Sequence, residues 1–296
     1  MKSGFVSIVG RPNVGKSSLL NSLLNTKVSI VSSHPAITRI KILGIYNSQQ
    51  GQIVFLDTPG FEKSNTELSK NMVRTIFSCV EDSNLVLLLI DAYGWQEYDE
   101  KILESLKKFN KKIILVINKV DVVPQREFVL PLIEESLEKH PFLEVVPISA
   151  RRSDNVTQLI KTIYRHLPDG EEIFPADMKT NIPLEYNIAE IIREKVVNNT
   201  YQEIPQSVAV LVEEVKPGNR DKRMLAIRAT IIIDRENVKR IIIGKKGDKL
   251  KKIGTQSRKE LEQLLGKKVF LELWVKVIKD WKNRPDIFRN FGYGNF

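Results

Sequence analysis

Short apolar runs alternate with amphipathic stretches along the first half of the chain. The runs predict strands at 5–9, 39–46, 52–56, 85–90, 113–117 and 144–148, and the pair 39–46 and 52–56 is close enough for a hairpin through NSQQG. Patterns of helical period lie at about 16–24, 66–80, 97–108, 125–138 and 155–166. Three strands are almost wholly apolar, as strands buried on both faces are. The alternation predicts an α/β domain over 1–168, with a mostly parallel sheet, helices on both faces and one antiparallel edge strand.

A different order of elements follows. A helix is predicted at about 184–198, strands at 206–214 and 224–233, a short helix near 237–241, a longer helix at 248–265 and a strand at 268–276. The order α-β-β-α-α-β predicts a small α+β domain over 184–296. The segment 167–183 contains three prolines, and we predict a linker over 169–183.

Composition narrows the class of protein. The 296 residues suggest two domains, and the single cysteine, Cys79, excludes an internal disulfide and a multi-cysteine metal site. The sequence has no apolar run of about 18 residues that would predict a membrane span, and its start does not resemble a secretion signal. A cytoplasmic protein is expected.

The charge is concentrated at one end. The net charge is +10, and residues 239–296 alone hold 16 basic and 6 acidic side chains, also net +10. Such a local excess favours a surface for a polyanion. A solvated basic face is the alternative.

A phosphate-binding loop is predicted between the first strand and the first helix. Gly10 to Ser17 read GRPNVGKS, which fits G-x-x-x-x-G-K-S. Glycines allow backbone N–H groups close to phosphate oxygens, and the helix that follows presents its positive N-terminus. Lys16 would reach the β- and γ-phosphates, and the Ser17 hydroxyl would coordinate Mg²⁺. The candidate contacts are Gly10, Arg11, Pro12, Asn13, Val14, Gly15, Lys16, Ser17 and Ser18.

The motif NKVD after the strand 113–117 predicts a guanine site. Asp121 can accept hydrogen bonds from the N1–H and the exocyclic amine of guanine, and adenine would leave that carboxylate unpaired. Ser149 and Ala150, after another strand, can add backbone N–H contacts to the guanine oxygen. The candidate base contacts are Asn118, Lys119, Val120, Asp121, Ser149 and Ala150.

These motifs, with LDTPGF at 56–61 and the second domain, resemble the translation-factor-like GTPases and, within them, the Era family of ribosome-associated GTPases. The resemblance implies that Thr58, Pro59 and Phe61 belong to the nucleotide site, that Asp57 contacts Mg²⁺ through water and that the Gly60 N–H senses the γ-phosphate. It also implies that Thr38 ligates Mg²⁺ in the GTP state. The family usually has two adjacent threonines there, and this chain has Ile37 at the first.

Phe61 stands where many GTPases have a glutamine that orients the attacking water. The chain resembles the subclass with a hydrophobic residue at this position, whose members use an asparagine of the phosphate loop to hold K⁺ against the phosphates. Asn13 is the matching residue, and an asparagine chosen for turn geometry is the alternative. Lys16, Thr38, Gly60 and Asn13 are therefore the candidate catalytic residues, with slow turnover expected.

The segment GKKG, Gly244 to Gly247, fits the G-x-x-G loop by which KH domains clamp about four nucleotides of single-stranded RNA. Seven basic side chains against one acid over 239–252 support this hypothesis, and the element order resembles the second KH type. Groove-lining isoleucines would choose the bases, although Ile231, Ile241 and Ile242 are equally good core residues. The candidate RNA contacts are Ile241, Ile242, Gly244, Lys245, Lys246, Gly247, Lys249, Lys251 and Lys252.

The resemblance implies a monomeric GTP-hydrolysing switch that binds the 3′ end of 16S ribosomal RNA and assists assembly of the 30S subunit, with Mg²⁺ and GTP or GDP as cofactors. It also implies peripheral association with the inner membrane. Two alternatives remain: an RNA-binding scaffold with a vestigial nucleotide site, and a membrane-surface GTPase that uses the basic end on anionic lipid. A relative with two GTPase domains is excluded, because one phosphate loop and one NKVD motif occur. In the aromatic tail after residue 280, packing on its own domain is favoured over stacking on bases.

Overall fold

The computed structural model describes residues 1–30, 38–60, 65–123, 129–200, 207–218 and 222–293. The chain forms two compact units, the first built mainly from residues up to Asn181 and the second mainly from Ile182 onward. Within the described residues, no helix is both long and apolar enough to cross a membrane.

A six-stranded sheet forms the centre of the first unit. Its strands are β1 (Lys2–Val9), β2 (Ile42–Ser48), β3 (Gly51–Asp57), β4 (Leu85–Asp91), β5 (Ile113–Asn118) and β6 (Glu144–Pro147), in the order β2-β3-β1-β4-β5-β6. Only the β2–β3 pair is antiparallel, as predicted for the hairpin. The carboxyl ends of β1, β3, β4 and β5 therefore lie at one edge of the sheet, where loops with binding residues can converge.

In the described part of the first unit, five α-helices accompany this sheet: α1 (Lys16–Leu24), α2 (Glu67–Asp82), α3 (Glu97–Lys107), α4 (Val129–Lys139) and α5 (Val156–His166). Buried side chains of α2, α3 and α4 share one core cluster with β1, β4 and β5. Every residue of β4 and β5 is buried, which agrees with their apolar sequences. The predicted α/β fold is confirmed. The start predicted for α4, at residue 125, lies outside the described residues.

The segment that the sequence predicts as a linker is hydrogen-bonded to the first unit. The backbone N–H of Ile45 in β2 donates to the Lys179 carbonyl at 2.9 Å. The buried Gln52 side chain of β3 accepts hydrogen bonds from the N–H groups of Ile173 (2.8 Å) and Phe174 (2.9 Å). The segment thus pairs with part of β2, the edge strand, and leaves less of its backbone open to other chains.

The second unit has the predicted order α-β-β-α-α-β. Its elements are α6 (Leu184–Asn198), β7 (Ala209–Pro217), β8 (Leu225–Ile233), α7 (Glu236–Ile243), α8 (Asp248–Leu265), β9 (Val269–Val277) and α9 (Pro285–Asn290). β8 is the central strand, antiparallel to β7 and parallel to β9. Alternate residues of β8, from Ile227 to Ile233, pack with α6 and α8 in one core. The helices therefore lie against one face of this sheet.

The aromatic tail packs on its own unit, as favoured from sequence. Trp281 is fully buried, and its Nε1 donates to the Ser207 carbonyl at 3.1 Å. Phe291 and Tyr293 contact the Trp281 ring, and Phe288 is also buried. These rings are unavailable for stacking on bases in this conformation.

Candidate functional site

The loop between β1 and α1 is built from residues that tolerate left-handed backbone. Asn13 has φ 64° and Gly15 has φ 101°. A Cβ at position 15 would lie 2.2 Å from Asn118 Nδ2, so only glycine fits there. Helix α1 begins at the next residue, with no acidic side chain in its first turn. The loop therefore leads into an uncompensated positive helix end, which suits an anion.

Backbone carbonyls of this loop hold the Lys16 side chain in place. Its Nζ donates to the carbonyls of Gly10 and Arg11, both at 2.9 Å, and the side chain is buried. Burial lowers the pKa of Lys16 to about 8, and the neighbouring Asp57 carboxylate opposes that shift. Gly60 lies beside the amine, since a Cβ there would be 3.4 Å from Nζ. A phosphate placed here would replace these carbonyl contacts and restore the ammonium's preference for charge.

Four oxygen-bearing side chains meet at the carboxyl end of β3. Ser17 Oγ lies 2.9 Å from Thr38 Oγ1 and donates to Asp57 Oδ2 at 3.0 Å, and Ser29 Oγ donates to the same oxygen at 3.1 Å. Asp57 Oδ1 is buried without a hydrogen-bond partner among the described residues. Burial raises the pKa of Asp57 to about 6.

This cluster fits a divalent cation. Hydroxyl and carboxylate oxygens are the donors that Mg²⁺ prefers, and the unpaired Asp57 Oδ1 would gain a partner in a bound water or ion. A cation would also remove the penalty that burial places on the ionised carboxylate. The predicted metal residues Ser17, Thr38 and Asp57 therefore lie together, and Ser29 joins them although no sequence motif marks it.

Asn118 ties two loops together. Its Nδ2 donates to the Val14 carbonyl at 2.8 Å, and its Oδ1 accepts from the Ala150 N–H at 3.0 Å. Asp121 accepts a hydrogen bond of 2.6 Å from Ser149 Oγ. The phosphate loop, the NKVD segment and the Ser149-Ala150 turn thus form one connected edge, as their order on the strand ends predicts.

The Arg11 side chain is bound within the protein, and only its backbone remains a candidate contact to the nucleotide. Its Nη2 lies 2.6 Å from Asp91 Oδ2 and its Nε lies 3.1 Å from Asp99 Oδ2, so the guanidinium binds two carboxylates of the protein. Lys119 Nζ lies 3.5 Å from the same Asp91 oxygen. Within the described structure the Arg11 side chain braces the loop, and only its backbone faces the Lys16 amine. Sequence analysis missed Asp91 and Asp99, although Asp91 ends β4 as Asp57 ends β3.

The remaining predicted residues of this site have varied environments. Val14 and Thr58 are buried, and Thr58 Oγ1 donates to the Ile8 carbonyl at 2.8 Å, so its side chain holds the end of β3. Asn13 is exposed in left-handed backbone, which agrees with the turn alternative without testing the K⁺ hypothesis. Phe61 and Ile37 lie outside the described residues.

The GKKG loop joins α7 to α8 through three residues of positive φ, namely Gly244 (74°), Lys246 (53°) and Gly247 (83°). A Cβ at 244 would lie 2.8 Å from Lys249 Cβ. Lys245 and Lys246 are exposed, as are Lys251 and Lys252 on α8. The loop therefore presents ammonium groups ahead of a helix N-terminus, a surface that suits phosphates.

The predicted groove isoleucines separate into two kinds. Ile241 is 41% exposed beside the loop and remains a candidate contact. Ile242 and Ile231 are fully buried in the core shared with α6 and α8, so the core alternative is correct for both. The prediction that Ile242 contacts RNA is wrong for this conformation, because its side chain has no accessible surface.

Comparisons with known proteins agree with this geometry. Residues 5–119 match a family model described as 50S ribosome-binding GTPase, and residues 203–282 match a KH domain model. The chain is 50% identical over 299 residues to the GTPase Era of Aquifex aeolicus, covering 99% of each chain. It is 45% identical to the GTPase Era of Geobacter sp. strain M21, covering 99% of this chain and 98% of the relative.

Two solved structures match over their full length. One is an Aquifex aeolicus Era variant bound to GDP·AlF4⁻, with a TM-score of 0.97 and 50% identity. The other is Era in complex with MgGDPNP and nucleotides 1506–1542 of 16S ribosomal RNA, also with a TM-score of 0.97 and 50% identity. Each comparison covers 100% of both chains. The chain, with its phosphate loop, its NKVD edge and its KH loop, belongs to the Era family of GTPases.

Proposed function

We propose that this GTPase is a switch that binds the 3′ end of 16S ribosomal RNA and assists assembly of the small ribosomal subunit. The observation that carries the proposal is the convergence of Lys16, Ser17, Thr38 and Asp57 in the first unit, on a chain whose second unit presents an exposed GKKG loop. The solved relative with MgGDPNP and RNA nucleotides 1506–1542 supports the pairing of the two activities.

In the nucleotide site, Lys16 would contact the β- and γ-phosphates, and the loop's N–H groups would surround them. Ser17 and Thr38 would ligate Mg²⁺ directly, and Asp57 would reach it through water. The ion would supply charge neutralisation between the phosphates. The Gly60 N–H, adjacent to Lys16, would distinguish GTP from GDP. A vestigial site is disfavoured, because Ser17, Thr38 and Asp57, the residues proposed for Mg²⁺, lie together and Asp57 is close to Lys16.

Guanine selection would depend on Asp121, which Ser149 holds at 2.6 Å. Replacement of Asp121 by Asn should shift preference from guanine to xanthine nucleotides, since xanthine has a carbonyl where guanine has the amine. Competition between GDP and XDP on both proteins measures this. An unchanged preference for GDP in the variant would remove the assignment of NKVD.

RNA would be held at the GKKG loop. Changing both Lys245 and Lys246 to Asp should abolish RNA binding and leave GTP affinity nearly unchanged. The matched control changes Arg258 and Lys259, also exposed on α8, to Asp. Equal losses in the two pairs would mean a diffuse basic patch and contradict the KH clamp. Crosslinking in cells followed by RNA sequencing should enrich the 3′ end of 16S ribosomal RNA.

The cellular setting is proposed on the same basis. A cytoplasmic monomer bound to the 30S subunit fits the RNA loop, and peripheral membrane association would use the basic residues of 239–296. Sedimentation of the protein with anionic vesicles, with and without competing RNA, distinguishes these sites of action. Vesicle binding that RNA does not displace would favour a membrane-surface GTPase.

A further inference from the structure

One face of the sheet in the second unit is turned away from the core shared with α6 and α8, and we call it the open face. On β8 the residues of this face, Thr230 and Ile232, are buried, whereas its β9 side is exposed. On β9, Leu271, Leu273 and Val275 pack against the core with α6 and α8. Because side chains alternate along a strand, the intervening residues point the other way. Two large rings lie on that open face: Phe270 is 59% exposed and Trp274 is 58% exposed.

These two rings differ from the other aromatics nearby. Trp281, Phe288, Phe291 and Tyr293 of the same unit are all buried. The second unit therefore buries most of its described aromatic rings near the tail, yet two rings on one face of β9 stay exposed. Large exposed rings that recur along one face of a strand indicate an interaction site more often than apolar residues scattered singly over a surface do.

The charges along β9 indicate the chemistry of the partner. Lys268 and Lys276, both exposed, have the same parity as the rings and lie at either end of the series. The carboxylate between the rings, Glu272, is paired with Arg228 of β8, with Nε and Oε2 3.1 Å apart. The pattern is cation, ring, neutralised pair, ring, cation. Lysine is depleted in protein–protein interfaces, whereas rings interleaved with cations are typical of single-stranded nucleic acid surfaces.

The spacing suits separate nucleotides. Four residues along a strand span about 13 Å, so Phe270 and Trp274 cannot share one base. Their registered neighbours on β8, Ala226 and Thr230, are small, and both rings keep more than half of their surface exposed beside them.

We propose that this open sheet face is a second RNA-binding surface, on which Phe270 and Trp274 stack on unpaired bases and Lys268 and Lys276 contact phosphates. It is separate from the GKKG loop, because that loop joins two helices and the rings lie on the face opposite the helical core. The inference rests on the proposed RNA-binding function and extends its footprint beyond the nucleotides held at the loop.

The test measures affinity of the full chain for two RNAs across a salt series: the 37-nucleotide fragment 1506–1542, and tetranucleotides taken from it, which have the length that a KH loop holds. Trp274→Ala and Phe270→Ala should each weaken binding of the long RNA by about 5- to 150-fold, with the salt slope unchanged. The tetranucleotides should bind all variants alike. Lys268→Ala with Lys276→Ala should flatten the salt slope by about 0.7 per contact. Leu264→Ala, 43% exposed on α8, is the matched control.

Tryptophan emission gives a second readout that does not depend on truncating the ring. Long RNA should quench the part of the wild-type emission that comes from Trp274, which is exposed, whereas Trp281 is fully buried and Trp95 is half-buried against the core of the first unit. Trp274→Phe should keep the affinity and lose most of the quenching. These results together would support stacking.

Three results would overturn the surface. If the wild type binds long RNA and both alanine variants bind it with the same affinity, the proposed second surface is wrong, and the GKKG clamp is unaffected. Capture of a ribosomal protein by the wild type but not by Trp274→Ala, with RNA affinity unchanged, would assign the face to a protein. A wild-type chain that binds neither RNA would overturn the proposed function and this surface together.

Discussion

Replacing Asn118 by Ala removes a side chain that bonds both the phosphate loop and the Ser149-Ala150 turn. The amide is buried and makes two hydrogen bonds, to the Val14 carbonyl at 2.8 Å and from the Ala150 N–H at 3.0 Å. Val14 and Ala150 are also buried, so water cannot easily replace the lost partners.

The size of the effect follows from those two bonds. A buried backbone group left without a partner costs about 1–3 kcal/mol, so the variant should lose about 2–6 kcal/mol of stability in the first unit. Asn118→Asp keeps the acceptor for Ala150 and loses the donor to Val14. Asn118→Asp should lose more than half of the stability that Asn118→Ala loses, because its carboxylate would repel the Val14 carbonyl oxygen as well as fail to donate to it.

Hydrogen exchange read by mass spectrometry measures the loss of stability in the first unit, because it reports stability segment by segment. Protection should fall in β1, β4 and β5 and stay unchanged in β8 and β9, and GDP affinity should fall at least tenfold. Asn71→Ala, on helix α2, serves as the control. Wild-type protection and GDP affinity in Asn118→Ala would refute the idea that this amide connects the two loops.

Three further predictions concern the chemistry of the first unit. Lys16→Ala should lose GTP hydrolysis, measured by phosphate release, while circular dichroism and RNA binding show an intact second unit; normal turnover would remove the phosphate-loop argument. Burial raises the pKa of Asp57 from 3.8 to about 6, so between about pH 4 and pH 6 the metal-free folded protein holds a proton that the unfolded chain has lost. This proton contributes about 3 kcal/mol to the free energy of unfolding. The contribution is fully present below about pH 4 and is lost as the pH rises through about 6. Urea titrations without Mg²⁺ should show the loss in the wild type and not in Asp57→Asn; identical pH profiles would contradict it. Phe61→Ala should leave single-turnover hydrolysis within a small factor of wild type, whereas exchanging K⁺ for Na⁺ should slow it unless Asn13 is Ala; equal rates in the two salts would exclude the cation.

The elements of the two units could be predicted because their signals are local. A buried parallel strand needs an apolar run, and a phosphate loop needs glycines at fixed spacing, so β4, β5 and the segment from Gly10 to Ser17 are readable from short stretches. The α-β-β-α-α-β order of the second unit is likewise a sum of local patterns.

What sequence analysis missed depends on contacts between distant residues. Asp91, Asp99 and Ser29 joined the site only because strands and loops far apart in the chain bring them to Arg11 and Asp57. The segment after residue 168 looked like a linker from its prolines, yet Gln52 binds two of its N–H groups.

The direction in which a side chain points was the other feature that the sequence could not predict. Ile241 and Ile242 are neighbours in one apolar run, and sequence alone could not say which of them faces the core. The open sheet face was missed for the same reason, because LELWVKV reads as a buried strand until its helices are seen to cover one side only.

The central claim is that nucleotide and RNA binding are coupled in one switch. The direct test is the affinity of the full chain for RNA nucleotides 1506–1542, measured with saturating Mg²⁺–GDPNP and again with Mg²⁺–GDP. A coupling free energy typical of such switches predicts affinities that differ by about 5- to 150-fold between the two states, with the difference abolished in Lys16→Ala. Equal RNA affinities in both nucleotide states would contradict the account.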